Sequence, residues 1–279
     1  MSPEDTSTAS VPEKILLFIP MYNCARQIPR VLAQLSKDAH GLFSEIIIVD
    51  NRSTDGSVEA AKLGVAGGST VRTRILLNDH NYGLGGSHKV AFNYAIANEF
   101  AHCVVLHGDD QGNIADLAPL IRSGAHRNVD CLLGARFMRG ARLQGYSALR
   151  TFGNRAFNLL YSLVSGYPIY DLGAGLNLYA VRALRRRRYL GHANDLTFNY
   201  YMILDSISDR WSIRFFPIVW REDDQISNVK LVRQALHVFL IAFGYGILRQ
   251  RFFAADHSGL PSKTYSATLV FDSLAAGDS

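Results

Sequence analysis

The segment HGDDQ, residues 107–111, brings together side chains that could bind a cation. It follows an apolar run at residues 104–106, which is typical of a strand covered on both faces inside a parallel sheet. Hard divalent cations prefer the carboxylate and amide oxygens that such a segment offers. The alternative is a solvated turn in which Asn113 or Asp116 caps the next helix.

Three more polar segments follow apolar runs in the first part of the chain. They are IPMYN at residues 19–23, VDNRSTDGS at 49–57 and NYGLGGS at 81–87. Each one alone could be an ordinary helix cap. Because the carboxyl ends of parallel strands meet at one edge of a sheet, the four segments in this order predict a single ligand-binding crevice.

The elements that must position these segments alternate between strand and helix. Strands are predicted at residues 14–20, 45–50, 74–77 and 103–106, and helices at 28–35, 54–63 and 85–97. This alternation predicts a Rossmann-like α/β domain with a mostly parallel sheet flanked by helices. The chain lacks a GxGxxG turn after its first strand and a GxxxxGK[ST] loop, which argues against dinucleotide-dependent dehydrogenases and P-loop enzymes.

Composition and charge limit the class of protein further. The 279 residues are 48% hydrophobic and 19% charged, which suits one large domain with appendages. A net charge of +5 favours an anionic partner, although nothing in the sequence resembles a nucleic-acid module. Cys24, Cys103 and Cys131 have no CxxC spacing, so we expect buried thiols in a reducing, cytoplasmic compartment rather than a zinc site or a disulfide scaffold.

The predicted organisation has four parts. A flexible arm covers residues 1–13, the main domain covers 14–225, an amphipathic helix region covers 226–253, and a weakly ordered tail covers 254–279. The helix region has an apolar middle between basic ends, which suits a helix lying on an anionic membrane surface, or a buried or dimer-forming helix. Its apolar part is too short to span a bilayer.

The four strand-end segments resemble the glycosyltransferase family 2 domain, a GT-A fold that binds a nucleoside diphosphate sugar, over roughly residues 14–225. The second half is similar to the polyprenyl-phosphate sugar transferases of the dolichyl-phosphate mannosyltransferase type. That similarity lies in GARF from residue 134, in ALRTFGNRAFNLL at 148–160, in DLGAGLNLY at 171–179 and in the segment 217–221. Ala174 and Asn177 depart from the usual serine and arginine of this pattern.

The resemblance implies a metal site in HGDDQ. Asp109 and Gln111 keep the second carboxylate and the amide of the family's Asp-x-Asp-x-Gln pattern, and His107 replaces its first aspartate. The implied cofactor is Mg2+ or Mn2+, which would act as a Lewis acid on the leaving diphosphate. An imidazole ligand at His107 suits Mn2+ better, but that histidine could equally bond a backbone group.

The resemblance also implies a donor site for a UDP- or GDP-sugar. Pro20, Tyr22 and Asn23 would line the nucleotide, and Asp50 would accept hydrogen bonds from the nucleobase or ribose. The rest of the expected donor site consists of Asn51, Ser53, Asn81, Gly83, His107, Asp109 and Arg136.

For the acceptor, the resemblance implies a polyprenyl phosphate. A phosphomonoester is largely dianionic near neutral pH and needs no strong base, but it needs arginines, for which the candidates are Arg136, Arg150, Arg155 and Arg221. A hydroxyl acceptor would instead need a carboxylate base, for which Asp171 is the candidate. The expected catalytic residues are therefore Asp109, Asp171, Arg150 and Arg221.

The predicted function is an inverting, metal-dependent transfer of a sugar from a nucleoside diphosphate to a polyprenyl phosphate. The enzyme would be peripheral on the cytoplasmic face of an anionic membrane, and the sequence is compatible with a homo-oligomer. One alternative is a soluble family 2 glycosyltransferase that extends a glycan. Another is a non-catalytic sugar-nucleotide-binding protein.

Overall fold

The computed structural model describes residues 13–39, 41–66, 71–222, 231–260 and 264–275. Its strands are β1 (Ile15–Met21), β2 (Glu45–Asp50), β3 (Thr73–Asn78), β4 (His102–Leu106), β5 (Cys131–Ala135), β6 (Arg142–Gln144), β7 (Leu176–Ala180), β8 (Ile213–Pro217), β9 (Val219–Arg221) and β10 (Ala267–Asp272). Its α-helices are α1 (Ile28–Asp38), α2 (Ser57–Ala66), α3 (Gly83–Ala97), α4 (Ala118–Arg122), α5 (Ala148–Ser165), α6 (Val181–Leu184), α7 (Phe198–Ser208) and α8 (Leu231–Phe252).

Eight strands form one mixed sheet in the order β10-β3-β2-β1-β4-β7-β5-β8. The first four predicted strands are confirmed as β1 to β4, and they lie side by side and parallel. The second half of the chain adds β7 antiparallel between β4 and β5. The carboxyl ends of β1, β2 and β4 and the amino end of β7 therefore lie at the same edge of the sheet.

The sheet has a hydrophobic core on each face, because successive side chains of its strands point to opposite sides. Along β1, Leu16 and Phe18 belong to one core while Leu17 and Ile19 belong to the other, and all four side chains are fully buried. This double burial explains why the central strands are continuous apolar runs in the sequence. The three cysteines are buried free thiols, as predicted.

The C-terminal part corrects the predicted organisation. Residues 254–279 were expected to form a weakly ordered tail, but β10 pairs antiparallel with β3 and forms an edge of the sheet. The aspartate and serine residues of that stretch suggested a weakly ordered segment. The strand was not predictable from local composition, because the strand with which it pairs is almost 200 residues away. Of the expected arm, residues 1–12 lie outside the described part, whereas Glu13 contacts two buried histidines.

Helix α8 confirms the helix expected in the region 226–253, of which residues 226–230 lie outside the described part. One face of α8 packs into the core through Val238, Ile241, Ala242 and Tyr245. It also packs against α5, where the hydroxyl of Tyr161 donates to the carbonyl of Val238 at 2.8 Å. Among the described residues, no helix has both the length and the apolar content that crossing a bilayer requires.

Candidate active site

Backbone hydrogen bonds tie the strand ends into one crevice. The N–H of Asn51 donates to Met21 at 2.9 Å, and the N–H of Gly108 donates to Pro20 at 3.1 Å. Gly108 allows this approach, because a Cβ there would lie only 2.9 Å from the carbonyl oxygen of Pro20. The N–H of His107 also donates to Gly175 at 3.0 Å, which brings the segment before β7 to the same place. The predicted convergence of the strand ends is confirmed.

The loops after β1 and β2 hold each other through short polar side chains. The hydroxyl of Ser53 accepts from the N–H of Asn23, and the side-chain oxygen of Asn23 accepts from the N–H of Thr54, both at 2.9 Å. Asn23 has a positive φ of 49°, a conformation that asparagine tolerates better than most residues. Tyr22, next to Asn23 in the loop after β1, remains about half exposed (52%).

Asp50 carries an unused acceptor in this crevice. One carboxylate oxygen accepts from the N–H of Ser53 at 3.0 Å. The other, Oδ1, is buried and has no hydrogen-bond partner among the described residues. A buried acceptor without a partner is costly, so a ligand that donates a hydrogen bond there would stabilise the site.

Asn51 joins β2 to the loop after β3. Its side-chain oxygen accepts from the amide of Asn78 at 3.0 Å and from the N–H of Tyr82 at 2.8 Å, and its amide donates to Asn81 at 2.8 Å. Both lone-pair positions of the oxygen are thus used inside the protein. The expected contact of Asn51 with a sugar nucleotide stays a prediction.

Gly83 and Asn81 also have structural roles. Gly83 adopts a φ of 74°, and a Cβ at this position would lie 2.4 Å from the carbonyl oxygen of Asn194. Only glycine fits this turn without moving the backbone. The side-chain oxygen of Asn81 accepts from the N–H of Gly83 at 3.1 Å as well as from Asn51. Any contact of these residues with a sugar nucleotide stays a prediction.

The carboxylate of Asp109 lies just after the end of β4, beside Asp110. Oδ1 accepts from the N–H of Gln111 at 3.2 Å, and among the described residues Asp109 forms no ion pair. Burial raises the pKa of Asp109 to about 6, with Asp110 acting in the same direction, while the Gln111 N–H and Arg136 lower it. A bound cation would offset this burial of negative charge, so the carboxylate of Asp109 and the amide of Gln111 fit a divalent cation chemically.

The neighbouring Asp110 is fully engaged, and the sequence did not reveal its role. It accepts from Arg30 at 2.7 Å and from Gln34 at 2.8 Å, and Arg221 lies 3.5 Å away. Arg30 and Gln34 are one turn apart on α1, so they present their donors together. Asp110 therefore anchors α1 to the end of β4, and the two adjacent aspartates have separate tasks.

The ring of His107 points away from solvent. It packs against Gly175, where a Cβ would lie 2.6 Å from the ring, and its centroid is 6.0 Å from that of His88. Burial, helped by the charge of Arg136, lowers the pKa of His107 to about 4, so the imidazole is neutral at pH 7. Its Nε2 is buried and has no hydrogen-bond partner among the described residues. Its role as a metal ligand stays a prediction.

Arg136 and Asp171 form a buried pair. Nε and Nη2 of Arg136 donate to the two carboxylate oxygens, each at 2.8 Å, and the backbone N–H groups of Arg136 and Gly173 donate to the same carboxylate. The side chains of Arg136 and Asp171 are 9% and 1% exposed. The guanidinium also lies 4.9 Å from the ring of Trp220.

This pair corrects two expectations. Asp171 has no free oxygen with which to accept a proton, so it does not suit the role of general base. Arg136 uses one edge of its guanidinium fork for Asp171 and is enclosed by aromatic rings, so it does not suit bidentate binding of a substrate phosphate. Spacing in the sequence could not reveal this pairing, because 35 residues separate the two partners.

The other arginines lie in more open surroundings. Arg150 contacts Glu222 at 2.5 Å and stacks 4.7 Å over Tyr146, with 29% of its side chain exposed. Arg221, 37% exposed, donates its backbone N–H to Gln111 and lies 3.5 Å from Asp110, beside the cation-binding candidates. Arg155 is exposed on α5, and no described residue bonds to it.

Helices α5 and α8 expose two apolar rows, of which the sequence analysis recognised only the second. The α5 row contains Leu149, Phe152, Leu159 and Leu163, and the α8 row contains Leu236, Phe239, Leu240, Phe243 and Ile247. Most of these residues are three, four or seven positions apart, which places each row on one helix face. The two helices are in contact, since Val164 lies against Gly246. We refer to these rows together as the apolar helix pair.

A Rossmann-like sheet with carboxylates at its strand ends and arginines beside them is the arrangement that the resemblance to GT-A glycosyltransferases implies. The family model described as Glycosyl transferase family 2 matches residues 17–188, which is more than half of the chain. The chain therefore belongs to glycosyl transferase family 2, as its strand-end motifs predicted.

Two curated relatives and one solved structure extend this result. Undecaprenyl-phosphate mannosyltransferase of Micrococcus luteus is 26% identical over 62% of this chain and 68% of its own length. Polyprenol monophosphomannose synthase of Mycolicibacterium smegmatis is 22% identical over 66% of this chain and 68% of its own length. The predicted similarity to polyprenyl-phosphate sugar transferases is thus confirmed.

The fold is confirmed by glucosyl-3-phosphoglycerate synthase from Mycobacterium tuberculosis, solved with Mn2+, uridine diphosphate and glucosyl-3-phosphoglycerate. Its structure matches with a TM-score of 0.61 over 94% of this chain and 90% of that chain. The sequence identity is 14%, so this likeness concerns the fold alone.

Proposed function

We propose that this glycosyltransferase moves a sugar from a nucleoside diphosphate to a polyprenyl phosphate at a membrane surface. The observation that carries the proposal is the position of Arg150 on the same helix as an exposed apolar row. That arrangement would bring a phosphate-binding side chain to the level of a lipid head group. The names of the curated relatives, both of which refer to polyprenyl phosphates or their mannose products, support the same acceptor class.

For the donor, the free oxygen of Asp50 suits a hydrogen bond from a nucleobase or ribose hydroxyl. Tyr22 is exposed enough to pack against the base, with Asn23 next to it and Pro20 near the end of β1. A UDP- and a GDP-sugar both meet these requirements, so the test below includes both.

For the cation, Asp109 and Gln111 would be its ligands, with the neutral imidazole of His107 as a third candidate. The bound Mg2+ or Mn2+ would neutralise the two phosphates of the leaving nucleoside diphosphate. Asp109 suits this role because its carboxylate has no ionic partner among the described residues, whereas Asp110 beside it has Arg30.

For the acceptor, the phosphate would contact Arg150 and Arg221. Their carboxylate partners hold them in place while each side chain remains about one-third exposed. A dianionic phosphate oxygen attacks the anomeric carbon, forming a new carbon–oxygen bond as the bond to the diphosphate breaks, with inversion. No proton has to be removed from the acceptor, because the second pKa of a phosphomonoester is about 6.

The need for a general base distinguishes a phosphate acceptor from the hydroxyl acceptor of a soluble enzyme that extends a glycan. A sugar hydroxyl must lose its proton to a base during attack. Asp171 was the candidate base, but its carboxylate accepts four hydrogen bonds, two of them from the Arg136 guanidinium. A phosphate acceptor is therefore more compatible with the site.

The membrane contact would be made by the apolar helix pair. Exposed apolar rows of this size are unusual on a monomeric surface, and Arg155, Arg249 and Arg251 are exposed on the same two helices. Basic residues beside an apolar helix face suit an anionic bilayer surface. The expected basic contributions of Lys230 and Arg233 fall outside the described side chains.

The test is a product assay on the purified full-length protein. UDP- and GDP-sugars are supplied in turn with undecaprenyl phosphate in mixed vesicles, with and without EDTA, and products are identified by mass spectrometry. We expect a sugar-phosphate lipid to form with one nucleotide, and only when a divalent cation is present. Transfer to a soluble glycan, with none to the lipid, would contradict the proposal.

A further inference from the structure

Glu13, His102 and His126 form a cluster far from the candidate active site. His102 is the first residue of β4, whereas Asp109 follows the last one. At about 3.3 Å per residue, the strand alone separates the two places by about 13 Å. His126 lies in a 3-10 turn at Ala125–Asn128, and Glu13 precedes β1. The cluster is therefore remote from the residues proposed for sugar transfer.

The three side chains have the geometry of metal ligands. Nδ1 of His102 lies 2.8 Å from Oε1 of Glu13, and Nε2 of His126 lies 3.1 Å from Oε2. One ligand atom from each residue lies within 4.8 Å of the other two. Two ligand atoms that share an ion at about 2.1 Å are about 3.0 to 3.4 Å apart, so two of these separations are already close to those around a bound ion.

The hydrogen bonding leaves the histidines incompletely satisfied. Both imidazoles are almost fully buried, with 3% and 1% of their side chains exposed. Nδ1 of His102, which faces Glu13, lies 2.8 Å from Oε1 but has no partner with hydrogen-bond geometry among the described residues. Buried polar atoms are normally satisfied, so this nitrogen indicates a missing partner on the side of Glu13.

The protonation states suit a cation. Burial lowers the pKa of His102 to about 4, against the opposing charge of Glu13, so its ring is neutral and keeps a lone pair. Although burial acts in the opposite direction, hydrogen bonds from Arg127 and His126 hold the pKa of Glu13 below its usual value. Two imidazoles and one carboxylate form a donor set that Zn2+ and similar first-row ions prefer.

We propose that Glu13, His102 and His126 bind one divalent transition-metal ion of the zinc type. The ion would fasten the segment before β1 to β4 and to the 125–128 turn, and water would complete its coordination. Arg127 now donates to Oε2 of Glu13 at 2.9 Å, but its side chain is 64% exposed and can turn into solvent when an ion binds.

The experiment uses the full-length protein with Asp109→Asn, so that the proposed catalytic cation does not interfere, and no nucleotide is added. Zn2+ is titrated into chelator-treated protein by calorimetry. We expect one ion per chain. The further changes Glu13→Gln and His126→Gln should each weaken binding at least tenfold, whereas His237→Gln, at an exposed histidine, should leave it unchanged. Zn2+ should also raise the melting temperature of the parent more than that of the cluster variants.

Circular dichroism checks that each variant is folded, and a zinc-edge X-ray absorption spectrum of the parent gives a readout that needs no variant. Two imidazole nitrogens in that spectrum support the proposal. Sulfur ligands, equal binding by parent and folded cluster variants, or no binding by the folded parent would each overturn it. The last result would leave the cluster as a hydrogen-bonded anchor.

Discussion

The two halves of the candidate active site handle charge differently. In the donor half, Asp50 has an unpartnered oxygen and Asp109 has no ionic partner among the described residues. In the acceptor half, each of three arginines contacts a carboxylate, in the pairs Arg136–Asp171, Arg150–Glu222 and Arg221–Asp110. The carboxylates of the donor half thus lack a positively charged partner among the described residues, whereas each carboxylate of the acceptor half has an arginine.

This difference indicates what each half needs from its ligand. A nucleoside diphosphate is itself negative, so its approach to the donor half costs free energy unless a cation comes with it. Two like charges 4 Å apart repel by about 4 kcal/mol near a protein surface. The acceptor half already contains arginines. Arg150 and Arg221 are partly exposed, so they can also contact a phosphate, whereas Arg136 is buried against Asp171 and cannot.

The largest effect should come from the donor half. Asp109→Asn removes the open carboxylate, and we expect sugar transfer to fall about 1,000-fold, equivalent to about 4 kcal/mol of transition-state stabilisation. Stability should hardly change, because Asp109 supports no other side chain by an ion pair. Kinetics of lipid glycosylation and urea unfolding measure the two quantities.

The matched control is Asp110→Asn at the next residue. It disrupts the contacts with Arg30 and Arg221, so it should lower the free energy of unfolding by about 1 kcal/mol and reduce transfer much less than Asp109→Asn does. If the two substitutions reduce transfer equally, the division of tasks between these aspartates is incorrect.

A large effect on stability should come from the buried pair. Asp171→Asn leaves the guanidinium of Arg136 buried without its counter-ion, and we expect the free energy of unfolding to fall by about 3 kcal/mol. Glu222→Gln breaks the more exposed Arg150–Glu222 pair and should lower the free energy of unfolding by less than about 1 kcal/mol. Chemical denaturation of the two variants measures both losses of stability. Asp171→Asn with normal stability but no activity would restore Asp171 as a catalytic base.

Helix α5 contributes both Arg150 of the acceptor half and one row of the apolar helix pair proposed to contact the membrane. Phe152→Ser combined with Phe243→Ser removes one exposed aromatic ring from each row of the apolar helix pair. At about 1.5 kcal/mol for each ring, vesicle binding should fall about 100-fold, with little change in melting temperature. Flotation with anionic vesicles measures it. Leu63→Ser, at an exposed leucine on α2, is the control, and an equal loss there would contradict a specific membrane face.

The smallest effect should come from an exposed arginine of the acceptor half. Arg150→Lys keeps the charge but loses the planar fork, so KM for the lipid phosphate should rise about tenfold while hydrolysis of the donor stays unchanged. Arg210→Lys, at an exposed arginine outside the crevice, should change neither. A parallel loss of both activities in Arg150→Lys would assign this residue to the donor phosphates instead.

The first half of the fold was predictable because its signals are local. Strand β1 and helix α3, for example, have an apolar run and a polar boundary that the sequence displays directly. The ends of β2 and β4 also indicated Asp50 and Asp109 as candidate site residues. The pairing of β10 with β3 was missed, because it depends on two segments almost 200 residues apart.

The task of each polar side chain was predictable only in part. The resemblance implied that Asn51 belongs to the donor site, and Asp171 was the candidate base for a hydroxyl acceptor. Each forms several hydrogen bonds within the protein. Such partners come from other strands and loops, and no local pattern identifies them. The α5 row was not predicted, because Leu149, Phe152, Leu159 and Leu163 are separated by arginines and other polar residues in the sequence.

The most direct test of the donor half is the cation dependence of nucleotide binding. Calorimetry would compare UDP and GDP binding to the wild type and to Asp109→Asn, with Mn2+ or Mg2+ and with EDTA. We expect the wild type to bind its nucleotide at least tenfold more tightly with the cation, and Asp109→Asn to show no such difference. Equal affinity of the wild type with and without the cation would contradict the account.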